Sequence, residues 1–164
     1  MKQNRKLKLA EAIILAALAC GPAATNTVAQ QGPPTEFEDT FQIDGICAFP
    51  VLVELSGKTK TIVLPGGRTL FTFPGEIVTF TNLNDTSKQE TLSITGAIRQ
   101  RVLENGDVEL VFTGRNLIIG FDPVNAFVIT IGRFSAAFDP EPPFDITQPL
   151  SGNGRLLNVC ELLQ

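Results

Sequence analysis

The sequence predicts an all-β domain, an antiparallel meander of about 8–10 strands forming a barrel, with a two-layer β-sandwich as the alternative and a short C-terminal helical turn. Three observations carry this. From Phe41 onward, short runs rich in Val, Ile, Thr and Phe recur, separated by Pro-Gly, Gly-Gly and Asn-Gly turn chemistry. The connections are short enough for hairpins, and consecutive hairpins give an up-and-down order more directly than a Greek key. One cysteine sits near each end of the folded region, which ties the last element to the first.

The elements follow in order. Residues 46–55 alternate Phe49, Val51, Val53 and Leu55 on one side, and Pro50 places this strand at an edge or a bulge because it cannot donate to a ladder. Residues 60–64, 69–73 and 77–83 are strands separated by Pro65-Gly66-Gly67 and Pro74-Gly75, and residues 84–89 are polar. Asn82, Asn84 and Asp85 are turn formers there. Residues 90–103 place Leu92, Ile94, Ile98 and Val102 on one face, with a bend or bulge expected at Gly96, before the hairpin signal Asn105-Gly106.

Residues 108–131 are the most apolar part of the chain. Val108, Leu110 and Phe112 share a face with Val111 opposite; Leu117, Ile119 and Phe121 share one with Ile118 opposite; Phe127, Ile129 and Ile131 share one with Val128 opposite. Strands apolar on both faces call for a covering on each. Gly114-Arg115-Asn116 reads as a hairpin turn between two of these strands. After Gly132 the pattern resumes with Phe134, Ala136 and Phe138. Residues 139–150 hold four prolines and read as a long loop, and Asn158 with Glu161 has capping-box spacing for a helical turn carrying Cys160.

The first residues are of another kind. Lys2, Arg5, Lys6 and Lys8 precede a short apolar run over residues 12–19 and a polar, Ala-rich stretch. This has the form of a secretory signal peptide over residues 1–29, cut after Thr27-Val28-Ala29. The run is far shorter than the ~20 residues that cross a bilayer as a helix. A second small-residue site before Cys20 gives the alternative of a lipoprotein anchored through Cys20. Residues 30–40 read as a flexible N-terminal arm and residues 41–164 as a single β-domain of about 125 residues, enough for one core. The expected location is secreted or periplasmic, in the cell envelope. There, Cys47 and Cys160 are expected to form a disulfide.

Removing residues 1–29 takes four of the 13 basic and one of the 17 acidic residues, leaving 9 against 16 and a net charge of −7. Such a balance argues against nucleic acid and anionic membrane surfaces as partners. The chain has no His, Tyr or Trp, and Met1 is its only methionine, which removes Ser-His-Asp and Cys-His nucleophile systems and His-based metal sites. No catalytic residue, metal ligand or cofactor is assigned. Asp139, Glu141 and Asp145 lie in the Pro-rich loop without calcium-loop spacing and read as solvated acids.

Two residues are candidate ligand contacts. Gln100 falls by strict alternation on the apolar face between Ile98 and Val102, where its amide would orient the polar end of an apolar ligand unless a bulge at Gly96 turns it outward. Arg115, at the tip of the expected turn, is placed to meet an anion. The segment Gly45-Ile46-Cys47-Ala48-Phe49-Pro50-Val51, the turn Leu64-Pro65-Gly66-Gly67, Thr113-Gly114-Arg115-Asn116, Ile131-Gly132-Arg133 and the terminal Cys160 together resemble a family of small exported bacterial all-β proteins with one cysteine pair and no assigned activity. The resemblance covers nearly all of the chain after the leader and implies no catalytic motif.

The leading functional expectation is a non-enzymatic exported β-domain that binds a small apolar ligand in a barrel interior or a macromolecular, protein partner at its surface. One alternative is a His-independent small-barrel enzyme of isomerase or cyclase type using carboxylates and arginines on an apolar substrate. The other is a structural, homo-oligomer-forming envelope protein that buries the second faces of Val111, Ile118 and Val128.

Overall fold

The computed structural model describes residues 32–120 and 127–164. The leader expected over residues 1–29, its two cut sites, Cys20 and the place of Phe121 on its strand lie outside the described residues. The elements run in chain order as β1 (Thr35–Ile43), β2 (Val51–Leu64), β3 (Arg68–Thr72), β4 (Ile77–Asn82), β5 (Gln89–Ser93), β6 (Gly96–Val102), β7 (Val108–Ile119), β8 (Phe127–Phe138), β9 (Ile146–Asn158) and α1 (Val159–Leu162).

Their pairing is that of an antiparallel meander whose strands are broken or kinked at mid-length. β1 lies along residues 51–59 of β2, while β3 pairs with residues 60–64 and β4 with residues 51–56 of the same strand. β3 and β4 are therefore two parts of one long strand, interrupted where Pro74 cannot donate and Gly75 takes φ +71°. In the same way β6 pairs with β3 and β5 with β4. Across these breaks the Phe73 amide donates to the Gly96 carbonyl (3.1 Å) and the Ile94 amide to the Glu76 carbonyl (3.0 Å). β7, β8 and β9 follow as successive antiparallel neighbours.

The kinks line up. Gly96 lies opposite Gly114, Gly114 opposite Gly132, and Gly132 opposite Gly154, so four neighbouring strands carry glycine in one transverse row. Gly114, Gly132 and Gly154 have φ of +82°, +133° and +150°, which side chains disfavour. A Cβ on Gly114 would sit 3.0 Å from the Thr95 carbonyl oxygen, and one on Gly132 or Gly154 would run into the Asn153 or Ile131 carbonyl of the neighbouring strand. At the other end of the break, a Cβ on Gly57 of β2 (φ +152°) would lie 2.7 Å from Glu76 Cα.

The sheet is continuous on one side of this line and parted on the other. β7 pairs with β6 only as far as Gly114, beyond which it pairs with β8 alone. Two flaps result: β1, the first half of β2, β4 and β5 form one, and the ends of β7, β8 and β9 with α1 form the other. They meet across the main core, where Val51, Val53, Val78 and Phe80 face Phe127 and Ile129, with Ile43, Val159 and Leu163 closing it. The rings of Phe80 and Phe127 meet edge to face at 5.5 Å and 86°. Each such side chain, fully buried, contributes roughly 1.5–3 kcal/mol. The Cys47–Cys160 disulfide, Asn82 Nδ2 donating to the Leu163 carbonyl (3.2 Å) and Lys88 Nζ donating to the Gln164 carbonyl (2.8 Å) fasten the flaps together. Asn158 caps α1 by accepting from the Cys160 amide at 2.9 Å.

At the glycine line one buried face ends, while the other, which holds Ile118 and Thr130 before the line and Phe134 and Ala136 after it, is buried on both sides. Along β8, Phe127, Ile129 and Ile131 pack into the main core, whereas Phe134 and Ala136, past Gly132, belong to a second cluster with Phe112 and Ile118 on the opposite face.

Several expectations are corrected. The sheet is not closed into a barrel, because no pairing joins β9 or β5 back to β1 among the described residues; nor does it separate into two sandwich sheets, since β2 runs through both portions. Gly114-Arg115-Asn116 is no hairpin turn but the kinked middle of β7, paired with Gly132, Ile131 and Thr130. Residues from Thr35 onward, expected in a flexible arm, pair with β2 as β1. The Pro-rich loop ends at Asp145, because β9 starts at Ile146 and accommodates Pro149 along its length.

If the kink row is set by sterics, Gly132→Ala, where strain and a backbone clash combine, destabilises the domain by about 3 kcal/mol or more in urea denaturation. Gly45→Ala, at φ +81° with open space around it, costs about 1 kcal/mol. Equal losses at the two sites would contradict the steric account.

Candidate functional site

Past the glycine line the continuous half of the sheet turns an arginine-rich face to solvent. Alternation places Arg99 and Arg101 on one side of β6, with Ile98 and Gln100 on the other. Pairing extends that side across the sheet: Arg99 opposes Leu70 and Val111, Arg101 opposes Glu109, Val111 opposes Ser135, and Ser135 opposes Ser151. One register step away, Arg133 lies between Thr113 and Asn153. Arg68 at the start of β3 completes the set. The reverse side carries the row Phe71, Ile98, Phe112 and Phe134, which explains the alternation: these strands bury one face and keep the charged one wet.

These side chains line an open cleft of about 300 Å³, with Arg68, Arg99, Arg101 and Arg133 supplying positive charge, Glu109 the opposing charge, and Ser135, Ser151 and Asn153 neutral hydrogen-bonding groups. Arg101 Nε donates to Glu109 Oε2, and this bond raises the guanidinium above its ordinary pKa. Arg68 Nε donates only to the Pro65 carbonyl of its own turn (3.0 Å). The guanidinium groups of Arg99 and Arg133 have no hydrogen bond or ion pair with any described residue. Three of four guanidinium groups thus face the cleft without a carboxylate partner, in a chain whose net charge is −4. Planar guanidinium groups with free donors suit bidentate contact with carboxylate, sulfate or phosphate.

The residues singled out in the sequence lie elsewhere. Gln100 is half-buried on the reverse side, opposite Thr69 and Leu110 in unbroken register, and does not line the cleft. Arg115 is exposed in the middle of β7, where Nη1 donates to the Ser93 carbonyl (3.5 Å) across the parting of the flaps. Asp139, Glu141 and Asp145 are exposed, with Asp139 Oδ1 accepting from the Glu141 amide (2.9 Å). Asn82 forms the expected turn, accepting from the Asn84 amide at 2.9 Å. The missed arginines do leave a signal in the sequence: Arg99/Arg101 and Arg133/Ser135 are polar pairs spaced by two, each on the face opposite an apolar pair. Which strands would bring the pairs together is not written in that spacing.

No group of three or more His, Cys, Asp or Glu side chains able to hold a metal occurs among the described residues. No helix among them is long and apolar enough to cross a membrane. The disulfide is consistent with an oxidising, extracytoplasmic environment. No protein-family model, no curated protein and no solved structure matches the chain.

A second titratable group sits on the kink line. Glu76, buried at 8 % exposure beside Gly57, has its pKa pushed up to about 7 by desolvation. Between the ordinary value of 4.5 and about 7 the folded chain holds a proton that the unfolded chain releases, so stability falls as pH rises through this window and is flat above it. With solvent screening part of the shift, the change is on the order of 2 kcal/mol. In thermal melts from pH 4.5 to 8, Glu76→Gln removes this fall; an unchanged pH profile would place the carboxyl in water.

Proposed function

We propose that the mature protein is an exported, non-enzymatic binding domain that holds an anionic partner in the arginine cleft. The observation that carries this is the convergence of Arg68, Arg99 and Arg133, without carboxylate partners, on one open face. The leader-like start, the cysteine pair and the resemblance to small exported bacterial proteins support export. An apolar ligand in a barrel interior loses its container with the barrel, and the cleft is polar.

The cleft also meets the minimum an enzyme would need, an arginine and a carboxylate. Its one carboxylate, Glu109, is held by Arg101, and no second acid or base lines the cleft to complete a proton relay. Binding is the reading with more support. Electrostatic attraction across an open, wet face works without deep enclosure and is weakened by salt.

On sulfated dextran the wild-type domain is retained and elutes as salt is raised, while neutral dextran does not hold it. Arg99→Gln with Arg133→Gln lowers affinity for the sulfated polymer tenfold or more, because each residue lost is a charge-assisted contact. Both positions are exposed, so urea midpoints stay unchanged. Equal retention on the two polymers, or a double variant that binds as well as wild type, contradicts the proposal.

A further inference from the structure

Resting on the anion-binding reading, we infer that the cleft's ligand is an acidic polysaccharide, a chain of hydroxyl-bearing sugar units with carboxylate groups set at intervals, and not a densely charged polymer. The positive charges are interrupted. Arg68, Arg99 and Arg101 stand on the β3 and β6 side of the cleft, Arg133 stands on β8, and Val111, Ser135 and Ser151 occupy the row beside Arg99. From Arg99 to Arg133 the path crosses two strand spacings and one register step, roughly 10–12 Å. Guanidinium groups so spaced match anions separated by neutral units. Val111 of β7 lies between Arg99 and Arg133, and Ser135 beside Arg133 on β8, with Ser151 and Asn153 on β9 beyond it, offers donors and acceptors for hydroxyl groups of the flanking units.

Glu109 sharpens the choice. Glu109, though paired with Arg101, keeps acceptor lone pairs for sugar hydroxyls, and its charge opposes a densely charged polyphosphate more than a chain whose carboxylates are set farther apart. Nucleic acid is the less fitting polyanion for a second reason. Single strands are held largely by stacking on exposed aromatic rings. The only aromatic residue at this cleft, Phe134, is 5 % exposed and packed into the apolar cluster behind it, and the chain has no Trp or Tyr.

The test compares three soluble polymers by isothermal titration calorimetry with the mature disulfide-bonded domain: a polyuronate, a polyphosphate and poly-glutamate. The polyuronate is expected to bind tightest. Glu109→Gln is expected to weaken polyuronate binding threefold or more, because a neutral amide oxygen replaces a charge-assisted carboxylate acceptor, and to strengthen polyphosphate binding, through the lost repulsion. Arg99→Gln weakens binding to all three, and a urea melt of each variant reports on folding. Polyphosphate or poly-glutamate binding tighter than the polyuronate, or Glu109→Gln improving affinity for all three, overturns the sugar assignment and leaves the anion reading standing. No binding by any of the three overturns both.

Discussion

The fold depends on a steric constraint on the backbone more than on any one side-chain contact. Gly57, Gly96, Gly114, Gly132 and Gly154 mark a line across the sheet where neighbouring backbones approach too closely for a Cβ, and four of them hold positive φ. A run of long, regular strands with two apolar faces has no stable solution as a single open layer, since one face would remain wet. Kinking β2, β7, β8 and β9 and breaking β3 from β4 and β5 from β6 at the same height resolves this. On one side of the line the sheet parts into flaps that bury their facing sides against each other, and the reverse face is buried along β7 and β8 on both sides of the line.

The arginine cleft follows from that arrangement. Were β8 regular throughout, the face holding Phe127, Ile129 and Ile131 would run on into Arg133 and Ser135 and carry them toward the main core. Because the flaps cover only the part before Gly132, the same face beyond it is free to carry charge, and Arg99, Arg101 and Glu109 from the neighbouring strands join it. The core of one half and the polar cleft of the other are successive stretches of one face. Fastening by Cys47–Cys160, over a sequence separation of 113 residues, acts on the flaps and leaves the cleft open. In the loop-entropy view such a closure contributes about 4–5 kcal/mol.

Much of the fold is legible in the residues themselves. Alternation and turn chemistry locate the strands from Val51 onward, Asn158 and Glu161 mark the terminal helical turn, and the two apolar sides of residues 108–131 are matched by two apolar clusters. The shift of pattern across Gly132 is visible as a change of parity from Ile131 to Phe134. The glycine row is not, because Gly96, Gly114, Gly132 and Gly154 become neighbours only once the strands are paired. Gly114-Arg115-Asn116 shows the cost: its composition suits a hairpin turn and a mid-strand kink equally, and long-range pairing decides between them. Reading the turn as a hairpin breaks β7 in two and favours barrel closure. The cleft is hidden for the same reason, since Arg68, Arg99 and Arg133 are spread over 66 positions of sequence and meet only through the ladder.

The central claim is that the charged side of the continuous half-sheet is the binding face. The most direct measurement is the mapping of amide chemical shifts in the ¹⁵N-labelled β-domain during titration with an acidic oligosaccharide. The account expects salt-sensitive perturbations confined to the strands that line the cleft, around Arg68, Arg99 to Arg101, Arg133 to Ser135 and Ser151 to Asn153. Perturbations centred on the flaps or around the acidic loop at Asp139 to Asp145, with the arginine strands unmoved, would contradict it.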